Sequence, residues 1–130
     1  MLLTSPSLLI TDDDSDFRET LQAALQPRGF RTLLAGDGEE ALEIVRREEV
    51  HLLLLDMHMP KLTGLETLRL VRQFRAMLPC ILLSAQWDDW LMEQARREQV
   101  FSMLSKPVTL GQLTGAVFQA LERTYAWHEE

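Results

Sequence analysis

An α/β fold with a parallel sheet covered on both faces is predicted by three observations. Five short apolar runs alternate along the chain with amphipathic stretches of helical period. The runs show little polar alternation, as strands buried on both faces do. The stretches between them carry capping or breaking residues, so a helix connects each strand to the next.

The first run is Leu8–Thr11, preceded by residues 1–7, which read as a short frayed leader. Phe17, Leu21, Ala24 and Leu25 then fall on one helical face, and Pro27 with Gly29 ends that helix. The second run is Thr32–Ala35. Asp37 with Glu40 forms a capping-box pattern that opens a helix running to about Glu49. After the third run, Leu52–Leu55, Thr63 with Glu66 repeats that signature, and Leu68, Val71 and Phe74 supply an apolar stripe. Ile81–Ser84 is the fourth run, and a helix follows Gln86 from about Asp88 to Arg97. Phe101–Leu104 is the fifth. Thr109 with Gln112 caps the last helix, whose expected buried residues are Leu110, Leu113, Val117 and Leu121. One domain over 8–124 results, with 125–130 as a tail or the start of a linker.

The composition fits this picture. A chain of 130 residues, 46% hydrophobic and 25% charged, suits one globular domain. It can bury roughly two-thirds of its unfolded surface and needs no disulfide or structural metal to fold. The lone Cys80 sits between Pro79 and aliphatics and reads as a small buried residue, which suits a reducing cytosol. Apolar runs such as Leu52–Leu55 are far short of a membrane span, and the N-terminus lacks the form of a signal peptide. The net charge of −7 argues against direct nucleic-acid binding, which needs clustered Lys and Arg.

In parallel α/β sheets, chemistry sits beyond the carboxyl ends of the strands. The first strand ends at Asp12-Asp13-Asp14, the third at Asp56, the fourth at Ser84 and the fifth at Ser105-Lys106-Pro107. Gathered carboxylates repel one another unless a cation or protons intervene. Oxygen ligands at this density suit Mg²⁺, which also coordinates phosphate. A carboxylate can attack phosphorus and form an aspartyl phosphate, and the transferred group then needs a metal, a cation and a hydroxyl or amide around its oxygens. Asp12 and Asp13 are candidates for metal, Lys106 for the cation and Ser84 for the hydroxyl. Singly, each has a bland reading. Asp14 or Asp16 is best taken as a helix cap, Asp12 and Asp13 are balanced between cap and metal site, and a lone Asp56 or Lys106 suits a turn or a solvated side chain. The combination, in order at successive strand ends, is specific.

These segments resemble the response regulator receiver family. The resemblance is carried by Leu9-Ile10-Thr11-Asp12-Asp13-Asp14, by Leu54-Leu55-Asp56-Met57-His58-Met59-Pro60 with Gly64, by Leu83-Ser84-Ala85 and by Ser105-Lys106-Pro107, and it extends from Leu8 to about Arg123. It implies a flavodoxin-like, doubly wound five-stranded sheet of order 2-1-3-4-5 with five helices. It implies that Asp56 accepts phosphate from a histidine kinase or phosphotransfer protein. Asp13 and Asp56 would bind Mg²⁺ (or Mn²⁺ in its place) with the backbone carbonyl of His58, and Asp12 would act largely through water. Lys106, Ser84 and Ala85 would hold the phosphoryl oxygens, and the bond before Pro107 would be cis. The implied activity is not enzymatic turnover but Mg-dependent self-phosphotransfer and slow autodephosphorylation in a cytoplasmic bacterial phosphorelay. Output, including a homodimer, would use the face of the fourth helix, fifth strand and fifth helix, with no membrane contact.

Departures from the family pattern are informative. Met103 stands where an aromatic switch residue is usual, so it can move inward but offers no aromatic tip. Gln99-Val100 replaces a small pair before the fifth strand. The positions that tune dephosphorylation hold His58 and Gln86, and His58 reads more readily as an exposed loop residue. Arg69, Arg72 and Arg75 read as a solvated row that also complements the helix C-terminus, rather than as a docking stripe. Trp87 and Trp90 suit either an interface or the local core, and Tyr125 and Trp127 either pack back or lead onward.

Other functions fit less well. A phosphatase with an aspartyl nucleophile would want an acid where His58 stands. A nucleotide-binding module would want a glycine-rich turn where acids stand after the first strand. An interaction domain that has abandoned phosphorylation would not need Asp12, Asp13, Asp56, Ser84 and Lys106 together, although Met103 at the switch position keeps that reading open.

Overall fold

A computed structural model describes residues 3–129. The strands are β1 (Ser7–Thr11), β2 (Arg31–Ala35), β3 (Leu52–Asp56), β4 (Cys80–Ser84) and β5 (Ser102–Ser105). The helices are α1 (Ser15–Leu25), α2 (Gly38–Arg47), α3 (Gly64–Arg72), α4 (Asp89–Arg97) and α5 (Leu110–Tyr125). All four strand pairings are parallel, in the order β2-β1-β3-β4-β5, which is the flavodoxin-like arrangement.

The sheet divides the core by strand alternation. Leu9, Leu53, Leu55 and Leu82 pack with Ala41, Leu68 and Leu91, so α2, α3 and α4 cover one face. Leu8, Ile10, Leu54 and Leu83 pack with Leu21, Leu25, Leu113 and Val117, so α1 and α5 cover the other. The three central strands are buried throughout, as continuous apolar runs require, while the edge strands β2 and β5 are only partly covered. Cys80 is fully buried and unpaired. Among the described residues no helix is long and apolar enough to cross a membrane.

Asp14 caps α1, accepting from the backbone N–H groups of Asp16 and Phe17. Thr63–Glu66 and Thr109–Gln112 form complete capping boxes. The Asp37–Glu40 pattern delivers only half of one. Asp37 accepts from the Glu40 N–H, but the Glu40 carboxylate takes the N–H of Gly36, one residue too early. That helix ends at Arg47, short of the expected Glu49.

Several expectations need correction. Phe74 lies beyond α3 and is exposed, with the Arg46 guanidinium over its ring. Leu110 is exposed because it is the first residue of α5, before the apolar stripe turns inward. Phe101 precedes β5, although its N–H already reaches the Cys80 carbonyl. The leader expected at residues 1–7 begins outside the described residues, but Ser5–Ser7 are anchored: Ser5 donates to the Gly29 carbonyl, Pro6 accepts from the Arg31 N–H, and Ser7 starts β1. Gly29 can serve there because its φ of 95° is open to glycine.

Of the arginine row only Arg69 stays on a solvated face, while Arg72 and Arg75 are half-buried and reach helix ends. Arg72 donates to the carbonyls of Ala76, Glu98 and Gln99, and Arg75 to those of Val45 and Glu48. The two side chains cap the C-terminal ends of α4 and α2, where helix carbonyls lack partners. Arg69 pairs with Glu98. Gln99 takes a left-handed φ of 56° after α4, a conformation that glycine or asparagine would adopt more readily. At the C-terminus Tyr125 donates to the His51 carbonyl, Trp127 packs with Phe30 and Phe118, and Glu129 pairs with Arg28. The tail therefore folds back on the domain as far as Glu129.

Candidate functional site

The parallel order brings the ends of β1, β3, β4 and β5 to one edge of the sheet. Asp12 and Asp13 follow β1, Asp56 ends β3, Ser84 ends β4 and Lys106 follows β5. Asp12 and Asp56 are almost fully buried, Ser84 is fully buried, and Asp13 is exposed. One carboxylate oxygen from each of Asp12, Asp13 and Asp56 lies within 4.8 Å of the others.

Lys106 joins this group as the cation that pairs with its carboxylates. Its Nζ is 2.6 Å from Asp12 Oδ2 and 3.3 Å from Asp56 Oδ1. Burial would lower the Lys106 pKa, but the hydrogen bond and charge of Asp12, and then Asp56, carry it above its ordinary value, so the ammonium stays charged. Asp56 moves the opposite way for a carboxylate. Burial first, and then the charge of Asp12, push it above the ordinary range, against the pull of Lys106. Three carboxylates against one ammonium leave the cluster with excess negative charge. Its donors are hard oxygens, so the residues present fit a small divalent cation such as Mg²⁺.

The backbone sets these positions closely. Asp12 Oδ1 accepts from the Asp14 N–H, and the Arg18 guanidinium donates to the Asp12 carbonyl at 2.6 Å. The loop after β3 returns on itself, since the Gly64 N–H donates to the Met57 carbonyl. A Cβ at Gly64 would stand 2.5 Å from the Asp56 carbonyl oxygen, so the close approach requires glycine there. The Lys106–Pro107 bond is cis.

Ser84 faces its own turn. Its Oγ accepts from the Gln86 N–H at 3.1 Å and lies 3.2 Å from the Gln86 carbonyl. The ring of His58 reaches it as well, with Nε2 at 3.1 Å. His58 is exposed, as expected of a loop residue, yet its ring is tied to a buried hydroxyl. Ala85 and Gln86 are exposed in the loop after β4. Met103 is half-buried against the core on the α2–α4 side, in company with Trp87. The Trp87 indole donates to the Leu104 carbonyl, so it belongs to the local core, whereas Trp90 is 64% exposed.

Two neighbours of the site escaped the sequence reading. Phe17, taken only as a core residue, lies with its ring 4.6 Å from Lys106 Nζ. Arg18 holds the Asp12 carbonyl. The signal was their place one helical turn beyond the acidic cluster, which the apolar pattern of α1 masked.

Residues 8–118 match the family model described as response regulator receiver domain. The chain is 36% identical over 121 residues to the transcriptional activator protein PfeR of Pseudomonas aeruginosa, covering 93% of this chain and 39% of that protein. It is 37% identical over 119 residues to the response regulator MprA of Mycobacterium leprae, covering 90% and 51%. The chain thus spans about half or less of these relatives. Among solved structures, the signal receiver domain of an HD domain-containing protein from Pseudomonas fluorescens superposes with a TM-score of 0.88 at 29% identity, covering 95% of this chain and 99% of that one.

Proposed function

Because this chain belongs to the response regulator receiver family of two-component signalling domains, we propose that Asp56 accepts a phosphoryl group and that the acceptor state sets a protein-interaction surface. The single observation that carries this reading is the pairing of buried Asp12 and Asp56 with half-buried Lys106, with Asp13 at the rim, at the carboxyl edge of the sheet.

The donor is a phosphohistidine on a sensor histidine kinase or phosphotransfer protein. An Asp56 carboxylate oxygen attacks phosphorus in line, the P–N bond to the partner's imidazole breaks, and an acyl phosphate forms on Asp56. Asp12, Asp13, Asp56 and the His58 backbone carbonyl would hold Mg²⁺ or Mn²⁺, which when bound offsets charge on the phosphoryl oxygens. Lys106 already points its ammonium at Asp56 and supplies the fixed cation. Ser84 and the backbone after it, at Ala85, take the remaining phosphoryl oxygen. Ser84 must turn from Gln86 and His58 to do so, and Met103 follows it. The face of α4, β5 and α5 thereby changes shape for a partner or a second copy. Hydrolysis of the acyl phosphate is slow, with His58 and Gln86 bordering the path of water. The domain works in a bacterial cytoplasm, touches neither membrane nor nucleic acid itself, and turns over no external substrate.

Incubation with Mg²⁺ and acetyl phosphate should add one phosphoryl group, read by intact-mass spectrometry. Equal uptake by wild type and Asp56→Asn would show that Asp56 is not the acceptor.

A further inference from the structure

The Lys106 ammonium has a third neighbour besides Asp12 and Asp56, the face of the Phe17 ring, 4.6 Å from Nζ to the centroid. Phe17 owes its place to the start of α1. Asp14 accepts from the Phe17 N–H at 3.3 Å and so fixes the first helical turn. The half-buried ring packs against the core beneath α1 and α5. It can neither neutralise a carboxylate nor bind a metal. What it offers is a negative aromatic face for an ammonium and a rigid wall. Lysine has a flexible four-carbon stem that must lose rotamer freedom to hold one position. The ring restricts that freedom on the side facing α1.

We propose that Phe17 is a positioning residue for phosphoryl transfer, holding the Lys106 ammonium over the Asp12–Asp56 pair where the incoming phosphoryl oxygens arrive. This assignment rests on Asp56 being the phosphoacceptor. It separates Phe17 from the carboxylates: the ring serves the cation and leaves the metal ligands alone.

The test compares Phe17→Leu, which keeps apolar bulk but loses the aromatic face, with Phe17→Tyr, which keeps the face. The rate of mass gain from acetyl phosphate and Mg²⁺ is measured on the full chain, with Mg²⁺ affinity measured by calorimetry. Phe17→Leu should slow phosphorylation about fivefold with Mg²⁺ affinity held within about twofold, and Phe17→Tyr should recover the rate. A Phe17→Leu rate within about twofold of wild type, a matching loss of Mg²⁺ affinity, or no recovery in Phe17→Tyr would overturn the assignment. If Phe17→Leu shows no cooperative melting, Phe17→Met replaces it in the same comparison. A wild type that takes up no phosphoryl group would instead reject the acceptor role of Asp56, a result distinct from normal labelling of both proteins.

Discussion

His58 Nε2 lies 3.1 Å from Ser84 Oγ, so one hydrogen bond joins the loop after β3 to the end of β4. Ser84 has a single hydroxyl proton, and its close partners are His58 and Gln86. A phosphoryl group on Asp56 would have to draw the hydroxyl away from them. Removing the ring as His58→Ala should therefore tighten binding of beryllofluoride, a phosphoryl mimic, by about threefold, the effect of one ordinary hydrogen bond. Calorimetric titration in Mg²⁺ reads it. Unchanged or weaker binding would mean that His58 does not restrain Ser84.

The raised pKa of Asp56 has a consequence for stability. A carboxyl that holds its proton more firmly in the folded chain favours folding below the ordinary value of 3.8, and that contribution is lost as pH rises. At neutral pH the ionised Asp56 therefore works against the fold. Asp56→Asn should melt a few degrees higher at pH 7, the scale of about 1 kcal/mol in a small domain. The gain should shrink as pH falls toward 4, near the ordinary Asp pKa. Mg²⁺ should stabilise the wild type more than the variant. A variant that melts lower at pH 7 would contradict the buried-charge account.

Arg72 and Arg75 donate to helix-end carbonyls, whereas Arg69 makes a partly exposed ion pair. Arg72→Ala should cost about 1–3 kcal/mol, because it strands carbonyls of α4 and of the turn after α3. Arg69→Ala should cost under about 1 kcal/mol. Urea unfolding of both variants tests the ranking, and equal losses would return the row to a solvated face.

Burial pushes the Cys80 thiol up to about 12, well above where it could ionise near neutrality. Alkylation by iodoacetamide at pH 8 should be undetectable in the folded protein and rapid in urea. Fast labelling under native conditions would show that β4 opens locally.

The sheet was legible because continuous apolar runs and paired caps leave few alternatives. Leu52–Leu55 bounded by polar residues has one good home, the middle of a parallel sheet. The acidic cluster was legible for the same reason, since strand ends in a parallel fold converge by topology. What sequence could not show was which side chains reach across. Arg72 and Phe17 fit their local helix pattern equally well as surface and core residues. Their roles depend on α4 and β5, far away along the chain. Leu110 and Phe74 failed differently, because a stripe drawn by period alone carries no mark for the first or last turn, where burial lapses. Asp37 shows a third failure, in which a backbone N–H one residue earlier competed for Glu40.

The Gly64–Met57 hydrogen bond closes the loop after β3 at its neck, and the missing Cβ seats that neck directly against the Asp56 carbonyl. Between its two fixed ends, His58 beside the site and Thr63 capping α3, the turn carries exposed Pro60 and Lys61. Those two positions can change in identity without dragging the acceptor strand with them. Recognition of a particular phosphodonor thus has room to vary at the tip of the turn, while one glycine keeps the acceptor strand in place.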